Sequence, residues 1–81
     1  MSTAKVTAKI AKLGHPEVEL VRGHGYHYYV FDGGIRGAYE THSIMTPNFR
    51  DRSFDSWVEG GVIFAERVKA GTFDRTNTHD L

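Results

Sequence analysis

A chain of 81 residues closes one hydrophobic core and no more, because small domains bury a low fraction of their surface. Ten basic residues cancel ten acidic ones and cysteine is absent, which excludes disulfides and thiolate metal sites and removes the global positive field that draws a protein onto nucleic acid or an anionic membrane. No apolar run approaches the roughly 18 residues of a membrane span, and no uninterrupted apolar segment marks a signal peptide, so the expectation is an unprocessed, soluble, cytoplasmic chain.

From Thr3 to Leu13, Val6, Ile10 and Leu13 fall at i, i+4 and i+7, while Lys5, Lys9 and Lys12 repeat that spacing beside them. The pattern predicts an amphipathic helix with a lysine stripe. Ala4, Val6, Ala8 and Ile10 also alternate as a strand would, and the alanines weigh towards helix. Gly14 and Pro16 stop it. Glu17 to Arg22 then alternates as a strand, with Val18 and Leu20 on one face and Glu17, Glu19 and Val21 on the other.

Gly23, His24 and Gly25 predict a three-residue hairpin connection into a second strand, Tyr26 to Phe31. Asp32, Gly33 and Gly34 predict a tight turn into a third strand, Ile35 to about Ile44. Thr46, Pro47 and Asn48 end the sheet, and Arg50 to Arg52 form a charged loop. Ser53 is the expected N-cap of a second helix, with Asp55 in its first turn. Phe54, Trp57, Val58, Gly61, Phe64, Ala65 and Val68 give that helix one apolar face, and Lys69 and Gly71 its stop. The fold class expected is α+β in the order αβββα, with the C-terminal helix packed on one face of an antiparallel meander. Residues 1–71 form the single domain, and 72–81 a polar, flexible tail from which Phe73 docks.

A three-residue first loop sets Leu20 opposite Tyr28 and Val18 opposite Val30. A two-residue turn at Gly33 and Gly34 sets Val30 opposite Gly37, Tyr28 opposite Tyr39 and His27 opposite Glu40. One face then collects Val18, Leu20, Tyr26, Tyr28, Val30 and Tyr39, and this is the face expected beneath the Trp57 helix. The other collects Glu17, Glu19, Val21, His27, Tyr29, Phe31, Arg36, Ala38, Glu40 and His42. On it, Val21, Tyr29 and Phe31 make an apolar strip that the first helix, a second subunit or another macromolecule would cover.

Catalytic chemistry has little support. His24 and His27 lie three apart, which on a strand points them to opposite faces, so a His24, His27 and His42 metal cluster is not expected. The glycine pairs flank hairpin turns and open no helix, so they do not cradle phosphate as a nucleotide loop does. Ser43, Ser53 and Ser56 sit in no nucleophile context, and Asp32, Glu40, Asp51 and Asp55 read as turn and cap residues. No catalytic residue, metal or cofactor is expected. Gly60 and Gly61 inside the second helix cost about 1 kcal/mol each against alanine. Close approach of the helix to Tyr28 or Tyr39 would repay this.

The stretch from His15 to Val68, with Glu17-Val18-Glu19-Leu20-Val21-Arg22-Gly23-His24-Gly25-Tyr26-His27-Tyr28-Tyr29 and later Trp57-Val58-Glu59, resembles small uncharacterised proteins carried by bacteriophages and mobile elements. His24 and His27 depart from more acidic or aromatic versions of that pattern. The resemblance implies a short accessory protein, among which stoichiometric inhibitors of host defence, including anti-CRISPR proteins, are found. The function expected is a non-catalytic protein-binding module acting through His27, Tyr29, Phe31, Arg36 and Glu40 on the sheet, or through Arg50, Asp51 and Arg52 in the loop. The alternative is a single-stranded nucleic-acid binder that stacks bases on the sheet aromatics and uses the lysine stripe. Homodimerisation through the same strip is compatible with either.

Overall fold

The computed structural model describes residues 2–34 and 37–71. Helix α1 (Thr3–Lys12) leads into a sheet of β1 (Val18–Arg22), β2 (His27–Asp32) and β3 (Tyr39–Ile44). A 3₁₀ turn (Phe49–Asp51) follows, then helix α2 (Phe54–Lys69). The strands are antiparallel in the order β1-β2-β3, which is the αβββα arrangement that the periodicities predict. The expected tail, 72–81, and its Phe73 lie outside the described residues, as does Arg36.

Local chemistry fixes the helix ends. The Ser2 hydroxyl accepts the Lys5 N–H at 3.2 Å, and the Ser53 hydroxyl accepts the Ser56 N–H at 3.0 Å, each satisfying a donor that the first turn leaves over. At the other end of α2, the Lys69 ammonium donates to the Gly14 carbonyl at 3.1 Å and pairs with Glu17 at 3.2 Å. It ties the end of α2 to the link between α1 and β1.

Both helices lie on the same face of the sheet. Val6 and Ile10 of α1, Val18 and Leu20 of β1, Tyr29 and Phe31 of β2, and Trp57, Val58, Phe64 and Ala65 of α2 form one buried cluster. The Thr7 hydroxyl accepts the Leu20 N–H at 3.0 Å and fixes α1 along β1. Gly60 and Gly61 let α2 settle onto this layer. A Cβ on Gly60 would stand 2.7 Å from the Tyr29 hydroxyl, and one on Gly61 would strike the Ile10 Cδ1 methyl. The close approach is therefore to Tyr29 and Ile10, where Tyr28 or Tyr39 was expected. The molecule's shortest extent is 19 Å, room for one sheet and one helical layer, and the second face of the sheet has no cover among the described residues.

The faces of β2 are inverted relative to the sequence expectation. The Gly23 N–H donates to the Tyr26 carbonyl at 2.8 Å, so pairing runs on through Gly23 and Tyr26 and leaves His24 and Gly25 as a two-residue turn. Leu20 stands opposite Tyr29, and Val18 opposite Phe31. One residue fewer in the turn moves every β2 side chain to the other side of the sheet relative to β1. The second connection is longer than expected: the Gly33 N–H meets the Ala38 carbonyl at 2.9 Å, and Val30 pairs with Thr41 in place of Gly37. That slip is of four residues, an even number, so it preserves faces. Glu40 and His42 share a side with Tyr29 and Phe31 as expected, but Glu40 stands opposite Phe31, and His27 opposite Ile44.

Candidate partner-binding surface

His27, Tyr29 and Phe31, the centre of the expected contact strip, are core residues. His27 and Tyr29 are 0% exposed and Phe31 4%. The Tyr29 hydroxyl donates to the Trp57 carbonyl at 2.6 Å. Burial pushes its pKa up to about 12, with the Arg52 guanidinium opposing the shift. The His27 ring lies 5.1 Å from the Trp57 ring, and its Nδ1 donates to the Thr46 carbonyl at 2.9 Å. Phe31 meets Phe64 edge to face at 6.5 Å. Covered in this way by α2, the three cannot present themselves to a partner, and their assignment to a contact surface is corrected on that ground.

The expected loop residues divide. Arg50 is exposed. Asp51 accepts the Thr46 hydroxyl at 2.6 Å. Arg52 is half-buried, with its guanidinium 4.8 Å above the Trp57 ring and its Nε 3.2 Å from the Ser56 hydroxyl. Trp57 in turn donates its indole N–H to the Phe49 carbonyl at 2.8 Å and stacks on the Phe49 ring at 5.5 Å. Arg52 thus braces the loop against α2, Asp51 ties the loop to its own Thr46, and both Arg50 and Asp51 are exposed. Glu40 is half-buried on the helix-covered side.

The inversion of β2 gives the uncovered face a different membership. Across the three strands it runs Val21, Tyr28 and Ser43, then Glu19, Val30 and Thr41, with Asp32 beside Tyr39 at one end. Tyr26 packs its ring 5.7 Å from Tyr28. Val21, Tyr26, Tyr28 and Val30 are half-buried, and Tyr39 is 60% exposed. The face is a band of aromatic and β-branched side chains bearing two carboxylates, Glu19 and Asp32, and no lysine or arginine among the described residues. Lys5, Lys9 and Lys12 are exposed on α1, in the helical layer behind the sheet. Sequence reasoning named these residues but placed Tyr26, Tyr28, Val30 and Tyr39 inside.

A groove of about 160 Å³ between β3 and α2 was not visible in the sequence. Ile44 and Ile63 form apolar walls, with Arg52, Arg67 and His42 around them. The His42 ring stacks on Phe64 at 5.9 Å. Burial lowers its pKa, and the Arg67 and Arg52 guanidiniums lower it further. The signal that would have found the groove is Gly60, which leaves the wall above Tyr29 without a side chain. Among the described residues, no group of three histidine or carboxylate side chains converges to hold a metal ion, and no helix is long and apolar enough to cross a membrane. Comparisons with protein-family models, curated proteins and solved structures find no match to this chain.

Proposed function

We propose that the protein is a non-catalytic binding module that docks onto a larger protein through the open face of its sheet. The observation that carries this reading is the one-sided cover of the sheet among the described residues, which leaves Val21, Tyr26, Tyr28, Val30 and Tyr39 as an aromatic and aliphatic band. Rigid aromatic side chains held on strands give large contact area at low entropic cost. Glu19 and Asp32 on the same face favour a partner that offers lysine or arginine around an apolar patch. In keeping with the resemblance to phage and mobile-element proteins, the partner proposed is a host defence complex, inhibited or modulated by stoichiometric binding in the cytoplasm.

The same charges count against the nucleic-acid alternative. Stacking of single-stranded bases on Tyr26 and Tyr28 would bring phosphates beside Glu19 and Asp32, whereas Lys5, Lys9 and Lys12 lie on the helical side. The test is capture of a defined partner from host lysate by wild-type protein and by two variants. Tyr28→Glu is expected to abolish capture, and the double variant Lys5→Glu, Lys9→Glu to leave it intact. Capture that survives Tyr28→Glu, or salt-sensitive oligonucleotide binding without any protein partner, would sink the reading. Sedimentation at two concentrations separates a self-associating sheet face from one that awaits a different protein.

A further inference from the structure

The two edges of the sheet differ. At the outer edge of β1, the Val18 N–H donates to the His15 carbonyl at 3.3 Å and the Leu20 N–H to the Thr7 hydroxyl at 3.0 Å, so α1 and its link close that side. The β3 edge is open. The bond from the Gly33 N–H to the Ala38 carbonyl continues the β2–β3 register, and hydrogen-bonded pairs alternate along an antiparallel ladder, so Glu40, His42 and Ile44 aim their backbone groups at β2. Tyr39, Thr41 and Ser43 aim theirs outward, where among the described residues no strand pairs with them. We propose that this edge is a homodimer interface, in which β3 pairs antiparallel with β3 of a second copy about a two-fold axis at Thr41.

Two further features single out this edge. The strand reads Tyr39-Glu40-Thr41-His42-Ser43-Ile44, without the lysine, arginine or proline that commonly blunts an exposed edge against pairing. Apolar surface also gathers around it. Among the described residues, Tyr39 at one end of the strand is 60% exposed, Met45 just past the other end 62%, and Ile63, across the groove between β3 and α2, 41%. Leu13 is the one other large hydrophobic so exposed among them.

Register selects a second copy as the occupant. Main-chain bonds can run only between outward-facing residues, so Tyr39, Thr41 and Ser43 must meet one another across the axis. With the axis at Thr41, Thr41 faces Thr41 and Tyr39 faces Ser43, and every outward N–H and C=O of the three residues finds a partner. Shifting the pairing by two residues one way sets Glu40 against Glu40, and like charges directly opposite destabilise a pair, whereas Thr–Thr pairs favour it. The other shift sets Tyr39 against Met45, past the strand's end. An axis at Thr41 avoids both and places Glu40 opposite His42. Because it stands perpendicular to the sheet, both helical layers fall on one side and both open faces on the other. Two three-stranded sheets become one.

The experiment is analytical ultracentrifugation of the full chain. A six-residue edge buries less than a standard interface, so wild type is expected to pass from monomer to dimer between about 1 µM and about 1 mM. Thr41 is exposed, so Thr41→Lys and Thr41→Glu keep the fold, as circular dichroism will report. Each alone is expected to weaken the dimer about fivefold, and an equimolar mixture of the two to restore it, because unlike charges then meet at the axis. Tyr28→Glu, which tests docking through the open face, is expected to dimerise as wild type does. A wild-type monomer throughout that range, a mixture no tighter than either variant alone, or loss of the dimer in Tyr28→Glu would each overturn the proposal. The edge pairing goes beyond the docking reading and fails separately from it, since the one is read as dimer mass and the other as partner capture.

Discussion

Tyr29 concentrates three roles in one side chain: it fills the core, donates to the Trp57 carbonyl, and roofs the notch left by Gly60. Its folded-state pKa of about 12 against an ordinary 10 makes its contribution to stability fully present below pH 10, where both states hold the proton. That contribution is lost as pH rises through 12, because the unfolded chain gives up the proton first. The slope is at most about 1.4 kcal/mol per pH unit for one group. Denaturant titrations between pH 9 and about 11 are expected to show this loss in wild type and not in Tyr29→Phe, which at neutral pH costs about 1 kcal/mol for the lost hydrogen bond. Equal alkaline slopes in the two proteins would place the sensitivity elsewhere. Tyr29 was legible as a large aromatic on a strand, but its side of the sheet was not.

The elements show where such information ran out. Helices and strands announced themselves because apolar period, caps and stops agree: Ser53, Asp55, Lys69 and Gly71 bracket α2 from both ends. Facing depended on whether the His24–Gly25 connection holds two residues or three, and either count satisfies glycine's conformational freedom. The open face and the core face both alternate apolar residues, so hydrophobic pattern could not arbitrate. Burial of His27 was masked because a histidine beside a glycine turn reads as a surface residue, and its carbonyl acceptor, Thr46, lies nineteen residues away. Gly60 and Gly61 were the better clue, since two helix-weakening residues in a row require a close neighbour. Gly61→Ala is expected to destabilise the protein by about 1–3 kcal/mol despite alanine's higher helix propensity, because the new methyl meets Ile10 and stands 3.1 Å from the Tyr29 ring. Urea unfolding measures it, and a gain in stability would mean that α2 can lift off the sheet at little cost.

At the scale of the whole molecule, charge and chemistry are sorted by layer. The helical side carries the lysine stripe and the sheet side the aromatics with Glu19 and Asp32, so the zero net charge conceals two unlike surfaces. Composition alone averaged them away. One hydrophobic cluster joins both helices to the sheet, and no second core exists among the described residues to unfold separately. Backbone circular dichroism and tryptophan emission are therefore expected to report coincident unfolding midpoints in urea, as a two-state domain requires. Midpoints that separate would reveal an independently melting helix.

The chain's one tryptophan makes that comparison unusually direct. Trp57 is packed against the Phe49 ring, the His27 imidazole and the Arg52 guanidinium at once. Its indole is thus a built-in optical probe seated between the loop, the hairpin and α2. Its emission colour reports whether the core is closed. No label has to be added to follow that event.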